Sequence, residues 1–285
     1  MAQISFDIIK AYRQKTFRLS AELRLKNRDE AADFVNQRGY IFFWSIKGIV
    51  FPSLWAATAG DRPVPDEHDD PGHITWDWKD SLLGSNVWYY AKVLRKKSTM
   101  ISMSVLPCFY ALSKNYGSPD EDYLTLYEQG YLTQEAKAIY ETLLYQGALD
   151  TISLRRAARL SSRESEARFN KALADLQADF KIVPIAVADA GAWHYAFVYD
   201  IVTRRYPEII DRTRYVQERQ AYRCLAELYF RSVGAAQPRD LGNLLGWSLD
   251  ETRQAIADLI GEGIISPAIH FENQPGEWFV LSELG

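Results

Sequence analysis

Apolar positions at the start of the chain recur at helical spacing. In "SFDIIKAYRQKTFRLS", Phe6, Ile9, Tyr12 and Thr16 fall on one face, and "NRDEAADFVNQRG" has Asn27 or Asp29 at its start and Gly39 as its stop, so two helices are predicted before residue 40. The rhythm then breaks. "RGYIFFWSIKG" gathers Tyr40, Phe42, Phe43 and Trp44 and ends on a lysine and a glycine. The stretch from Gly39 to Gly60 is apolar enough to raise a membrane question, but Lys47 near its middle would cost about 2.5–3.5 kcal/mol on insertion, and Gly48 and Pro52 interrupt any helix. A buried helix end, a turn and a strand is the reading that fits. "DRPVPDEHDDPGHITWDWKDSLLG" follows, rich in Pro, Asp and Gly and therefore a loop. "NVWYYAKVLRKKSTMISMSVLPCFYALSKNY" then interleaves aromatics with cations along a strand and a helix.

The second half repeats a pattern. One unit begins near Tyr145 and another near Ser232: Gly147-Ala148 answers Gly234-Ala235, Leu154 answers Leu241, and Ile182-x-Pro184 answers Ile265-x-Pro267. Ser161-x-x-Glu164 and Ser248-x-x-Glu251 each read as a capping box opening a helix. Each unit predicts helix, short helix, turn, capped longer helix and two strands, which is the plan of a winged helix. In the first unit the strands are predicted in "KIVPIAVAD" and "WHYAFVYDI". The fold class expected is α+β and mainly helical, with tandem winged helix-turn-helix domains and a small strand-rich, β-barrel-like insert. The predicted divisions are an N-terminal helical segment at 1–60, an insert at 61–132, a winged helix at 133–207 and a C-terminal one at 218–285.

Composition narrows this picture. Over 285 residues, 47% are hydrophobic and 25% charged, the values of an ordinary globular protein, while aromatics reach 13%. The net charge of −4 argues against a uniformly cationic nucleic-acid binder, but the charges are segregated. Residues 61–80 carry seven carboxylates against Arg62 and Lys79, whereas "KVLRKK" supplies Lys92, Arg95, Lys96 and Lys97 with no acid. The first repeat has Arg155, Arg156, Arg159, Arg163, Arg168 and Lys171, enough to meet several phosphates. Its counterpart sets Arg239 and Arg253 against Asp240, Asp250, Glu251 and Asp258. The first repeat is therefore the DNA-facing candidate, and the second packs on the rest of the chain or on a partner. Many winged helices serve as protein-interaction modules instead. The aromatics around 88–110 would suit unstacked bases as readily as a core.

Cys108 and Cys224 fit no metal-ligand spacing and read as reduced, buried thiols. "MAQISFDIIKAYRQK" has charges where a signal peptide needs an apolar run, so a cytoplasmic protein away from any membrane is expected. In the acidic loop, His68 and His73 lie beside Asp66, Glu67, Asp69 and Asp70. No helical spacing fixes them as ligands, so a solvated loop is the simpler reading and no metal is expected.

Over most of its length, and most clearly from Tyr140 to Val280, the chain resembles the winged-helix DNA glycosylases of the AlkZ and YcaQ type, through "RFNKALADLQ" before a wing, "YAFVYDIVTRRYPE" running into a Tyr-Pro turn, and "LAELYFRSVGAAQPRDLGNLLGW". The resemblance implies winged helices stacked around a DNA channel with a small β-barrel, and hydrolysis of the N-glycosidic bond of alkylated or cross-linked purines in double-stranded DNA. It implies no metal and no nucleotide cofactor. In that family a helix ending in Leu-Gly precedes Gln, an apolar residue, then Gln or Asp, which position or activate the attacking water. Laying Arg38-Gly39 on that Leu-Gly puts Phe42 and Trp44 on the two polar positions, and neither side chain accepts a proton from water. Leu54-Trp55 keeps the flanking pair; Tyr89-Tyr90-Ala91-Lys92 falls where a Tyr-Trp-Ala-His pattern would end in histidine.

Three functions follow. The first is a glycosylase relative that binds damaged DNA with weak, re-sited or absent catalysis, any acid–base groups coming from Asp66, Glu67, His68, Asp69, Asp70 or His73. The second is a non-enzymatic winged-helix DNA-binding regulator or lesion sensor, and the third a protein-interaction scaffold. Rebuilding the motif with Phe42→Gln and Trp44→Asp would be expected to raise excision.

Overall fold

The computed structural model describes residues 5–67, 69–271 and 274–285. An opening helix, α1 (Phe6–Thr16), is followed by three units of one topology. The first has α2 (Arg28–Arg38), β1 (Tyr40–Phe42), α3 (Leu54–Ala59), α4 (Ile74–Ser81) and a hairpin of β2 (Trp88–Lys92) and β3 (Ser98–Ser102). Two linking helices, α5 (Leu106–Ala111) and α6 (Pro119–Glu128), lead to the second. It comprises α7 (Gln134–Gln146), β4 (Leu149–Asp150), α8 (Thr151–Ala157), α9 (Glu166–Ala178), β5 (Ile182–Ala188) and β6 (Ala196–Ile201). After α10 (Val202–Arg205) and α11 (Ile209–Thr213) comes the third: α12 (Glu218–Val233), β7 (Ala235–Ala236), α13 (Pro238–Leu245), α14 (Leu249–Gly261), β8 (Ile265–Phe271) and β9 (Gln274–Leu281). All three sheets are antiparallel, with the short first strand pairing with the last: β1-β3-β2, β4-β6-β5 and β7-β9-β8.

Local chemistry fixes these boundaries. The Asn27 side chain accepts the Glu30 N–H at 2.9 Å to open α2, and Gly39, at φ 79°, closes it. The Ser248–Glu251 capping box opens α14 as expected from sequence, but the box assigned to Ser161 and Glu164 does not form. There Ser162 caps a 3-10 turn over 163–165, and α9 begins only at Glu166.

The first unit departs from the sequence reading in three ways. Its sheet crosses the expected division at residue 60, because Tyr40 pairs with Ile101, and the sheet is open and three-stranded rather than a barrel. Residues 74–81, read as loop, form α4, whose Thr75, Trp78 and Lys79 are buried. Residues 54–59, at the end of the stretch read as helix end, turn and strand, form α3, with the Ser53 hydroxyl accepting the Ala56 N–H at 3.1 Å.

One apolar core joins the first and third units through α12, and a second core fills the middle unit. The hairpins interlock the first two units. Residues 93–97 lie on α9, where Gln177 Oε1 accepts the Lys92 N–H at 3.1 Å. In return β5 and β6 lie against α4 and the turn after it. Gly84, at φ 62°, abuts Ile185, and a Cβ there would stand 2.7 Å from the Ile185 carbonyl oxygen. Beside it the Lys79 ammonium, 2% exposed as a residue, contacts the ring of Phe197 at 4.8 Å and those of Phe43, Tyr90 and Tyr195 at 5.4–5.5 Å. It also pairs with Asp80 at 2.7 Å and donates to the Tyr195 hydroxyl at 2.8 Å. Burial depresses the Lys79 pKa, an effect the hydrogen bond to Asp80 opposes.

Candidate nucleic-acid interface

Phe42 is 1% exposed. It packs edge-on against Phe51 with ring centroids 6.0 Å apart, and Phe51 in turn stacks on Tyr40 and Tyr229. Trp44, half-buried, faces a different cluster: Phe43 at 4.4 Å, Trp76 at 5.0 Å and Trp55 at 5.6 Å. The two residues laid on the family's polar positions thus point into separate aromatic layers. No side chain at either position supplies a base.

A cleft of about 580 Å³ opens beside this stretch, lined by Phe17, Ile46, Phe51 and Trp55 together with Lys47 and Arg62. It continues through Arg13, Ile49 and Val50 into a smaller one of about 340 Å³ bordered by Arg95 and the third unit. Phe42 stands one ring behind the wall, screened by Phe51. A glutamine at residue 42 would meet core rather than cleft, which reverses the expectation that rebuilding the motif raises excision.

Among the described residues of the acidic loop, the candidate acid–base groups have separate surroundings. Asp70 is committed to structure, bonded to Arg62 at 2.7 Å and to the Gly72 N–H at 2.7 Å. The Arg62 hydrogen bond holds its carboxyl below the usual range, which weakens it as a base. Arg62 itself lies over the Trp55 ring at 5.1 Å. Asp66, Glu67 and Asp69 are exposed, His73 sits against Trp76 at 4.2 Å, and His68 lies outside the described residues. Among the described residues no group of three or more His, Cys, Asp or Glu could hold a metal.

The ten cations singled out by sequence divide into two sets. Arg95 donates to the Asn243 carbonyl at 3.0 Å, and Lys96 pairs with Asp175, which also holds Lys171 at 2.7 Å. Arg155 donates to the carbonyls of Leu160 and Ser162 at 2.7 and 2.8 Å, closing the end of α8, and Arg168 pairs with Glu135 at 3.2 Å. Lys92 is exposed at the end of β2, and the partial burial of its side chain lowers its pKa. Arg156, Arg159 and Arg163 are exposed and form no ion pair among the described residues, as is Lys97. Of the aromatics interleaved with cations in that stretch, Trp88, Tyr89, Tyr90, Phe109 and Tyr110 are core, whereas Tyr116 at its end is exposed.

One surface feature escapes the sequence reading. "WHYAFVYDI" is predicted whole as a strand, but β6 starts at Ala196, and Trp193 projects from the hairpin tip 90% exposed. Gly191, at φ 79°, places that tip over Ile152 of α8, one turn from Arg156. The signal is a tryptophan directly after "DAGA": a Gly/Ala turn offers an indole no core.

In α14 the carboxylates that disfavour a groove have structural partners. Arg219 grips Asp258 at 2.6 and 2.8 Å, and Tyr222 donates to Glu251 at 2.6 Å. Cys108 and Cys224 are free and half-buried, and hydrogen bonding to Cys224, then burial, raises the Cys108 pKa. No helix among the described residues is long and apolar enough to cross a membrane.

The same fold occurs in a DNA glycosylase. Streptomyces sahachiroi DNA glycosylase AlkZ superposes with a TM-score of 0.59 at 12% identity, over 99% of this chain and 71% of that one. At that identity the likeness speaks for the fold. The chain belongs to the AlkZ-related family, which it matches over residues 25–246. No curated protein matches it in sequence.

Proposed function

We propose that this protein binds double-stranded DNA through the second of three winged helices and has lost most or all base excision at the family's motif. The observations that carry the binding are three exposed guanidiniums on and after α8, Arg156, Arg159 and Arg163, without ion pairs among the described residues, and a hairpin tip that bears exposed Trp193 and meets α8 at Ile152. Guanidinium groups neutralise phosphates, and an exposed indole stacks on an unpaired base or wedges into a groove. The family relation supports alkylated or cross-linked DNA as the ligand class, with no cofactor. The loss of excision rests on Phe42, which fills with core packing the place where the resembling enzymes hold a polar group. An alkylated purine is already a good leaving group, so losing general-base help worth about 10²–10⁴-fold leaves at most slow residual cleavage.

The test is an abasic-site assay under single-turnover conditions, with protein in excess over a duplex carrying N7-methylguanine, run beside a binding titration on the same duplex. Binding without abasic sites above the buffer control is the expected result. Robust excision contradicts the reading, and so does the absence of duplex binding at low salt.

A further inference from the structure

The helix α6 lies outside the three repeated units and packs along α7 on one side only, burying Asp122, Tyr123 and Leu126. Asp122 is structural, its carboxylate accepting the N–H groups of Tyr116 and Ser118 at 2.8 and 3.2 Å. The outward face is of another kind. Leu124, Tyr127 and, just past the helix, Tyr131 are exposed, Tyr131 by 61%, and Asp120, Glu121 and Glu128 line the same face without an ion pair among the described residues. Two rings of this patch already carry cations: the Lys114 ammonium is 3.0 Å from the Tyr131 centroid, and that of Lys137 is 5.4 Å from Tyr127.

We propose that this face docks a lysine- and arginine-rich segment of a partner protein. Exposed tyrosines cost little side-chain entropy to immobilise and are enriched at protein interfaces, where they offer apolar area and a hydroxyl together. The ring faces here take cations, as Lys114 and Lys137 demonstrate from within the chain, and the surrounding carboxylates complement further positive charge. The same carboxylates repel phosphate, which sets this face apart from the proposed DNA surface and disfavours anionic lipid. The inference stands independently of the DNA reading.

Fluorescence anisotropy on the full chain tests it, with a labelled synthetic peptide alternating arginine and leucine as probe and a same-length peptide carrying glutamate for arginine as control. The arginine peptide binds saturably and more weakly as salt rises, and the glutamate peptide does not bind. Glu121→Lys with Glu128→Lys lowers the affinity by about tenfold or more, and Tyr127→Ser with Tyr131→Ser does the same. The charge variant lies on the surface and stays folded even if the tyrosine variant does not, with melting temperature as the monitor. A triple change in the other acidic region, Asp66→Lys with Glu67→Lys and Asp69→Lys, leaves the affinity within about twofold. Undiminished binding by the charge variant, loss confined to the loop variant, or equal binding of the glutamate peptide would each overturn the proposal.

Discussion

Phe42 and Arg159 stand in units of the same helix–strand–helix–helix–hairpin plan, Phe42 on the first strand of its unit and Arg159 between the two helices that precede the hairpin, and they meet solvent in opposite ways. Around Phe42 the chain is sealed: Phe51 covers the ring, and the strand that carries it is paired with β3. Around Arg159, held at φ 58° after α8, the surface is open, and three guanidiniums lack ion pairs among the described residues. The difference teaches that a shared topology does not fix which face is free; the packing of one unit on another does. The cations of the first hairpin make the same point, since Arg95 and Lys96 are as plain in sequence as those of α8 but are committed to Asn243 and Asp175.

If the first region is sealed, changes there act on stability. Phe42→Gln should cost about 3–5 kcal/mol in urea unfolding, through a missing ring and a buried amide. The folded fraction of the double change with Trp44→Asp should gain no excision. A cost below about 1 kcal/mol would mean the ring is not core and would break the comparison.

Buried cations belong with the sealed region. Lys181 is 4% exposed, and its ammonium donates to Asn115 Oδ1 at 2.8 Å. Burial brings its pKa down from 10.5 to about 8 against the pull of Asp179 and Asp122. Between those values the native lysine is neutral while the unfolded chain still binds the proton, so the contribution of Lys181 to stability rises with pH across that window and falls as pH drops toward 8. Set against Lys181→Met, the parent should gain up to about 3 kcal/mol between the two ends, read from denaturant midpoints at each pH. A constant difference between the two proteins would show that the site is wet.

In the open region the effects should pass to binding alone. Trp193→Ala should weaken duplex affinity by about 1–3 kcal/mol in an anisotropy titration, more on a duplex with an unpaired base than on a perfect one. Its melting temperature should not move, because the indole touches little of the fold. A loss of stability with unchanged binding would place Trp193 in the sealed class.

Much of the open region was legible in sequence and little of the sealed one. The second and third units showed themselves because their elements follow one another closely, with glycines, caps and hydrophobic positions at matching offsets. The first unit has the same sheet order but was hidden: residues 43–53 separate β1 from α3, and residues 60–73 separate α3 from α4, so no fixed offset survives. The acid-rich composition of 61–80 also masked α4, which is amphipathic only through Thr75, Trp78 and Lys79. Charge was readable as a count but not as availability, because ion pairs such as Lys96 with Asp175 join residues far apart in the chain. The sequence does not set Trp193 apart, because strand propensity favours aromatic residues wherever they fall, and only the position of the turn decides whether one has a core to enter.

The central claim, DNA held by the open face of the second unit, is tested most directly by the salt dependence of duplex affinity. Replacing Arg156, Arg159 and Arg163 with Gln should reduce the slope of log affinity against log salt by about 0.9 for each phosphate no longer neutralised, while Arg95→Gln with Lys96→Gln should leave it nearly unchanged. An unaltered slope in the triple variant, or a larger fall in the Arg95 and Lys96 pair, would contradict the account.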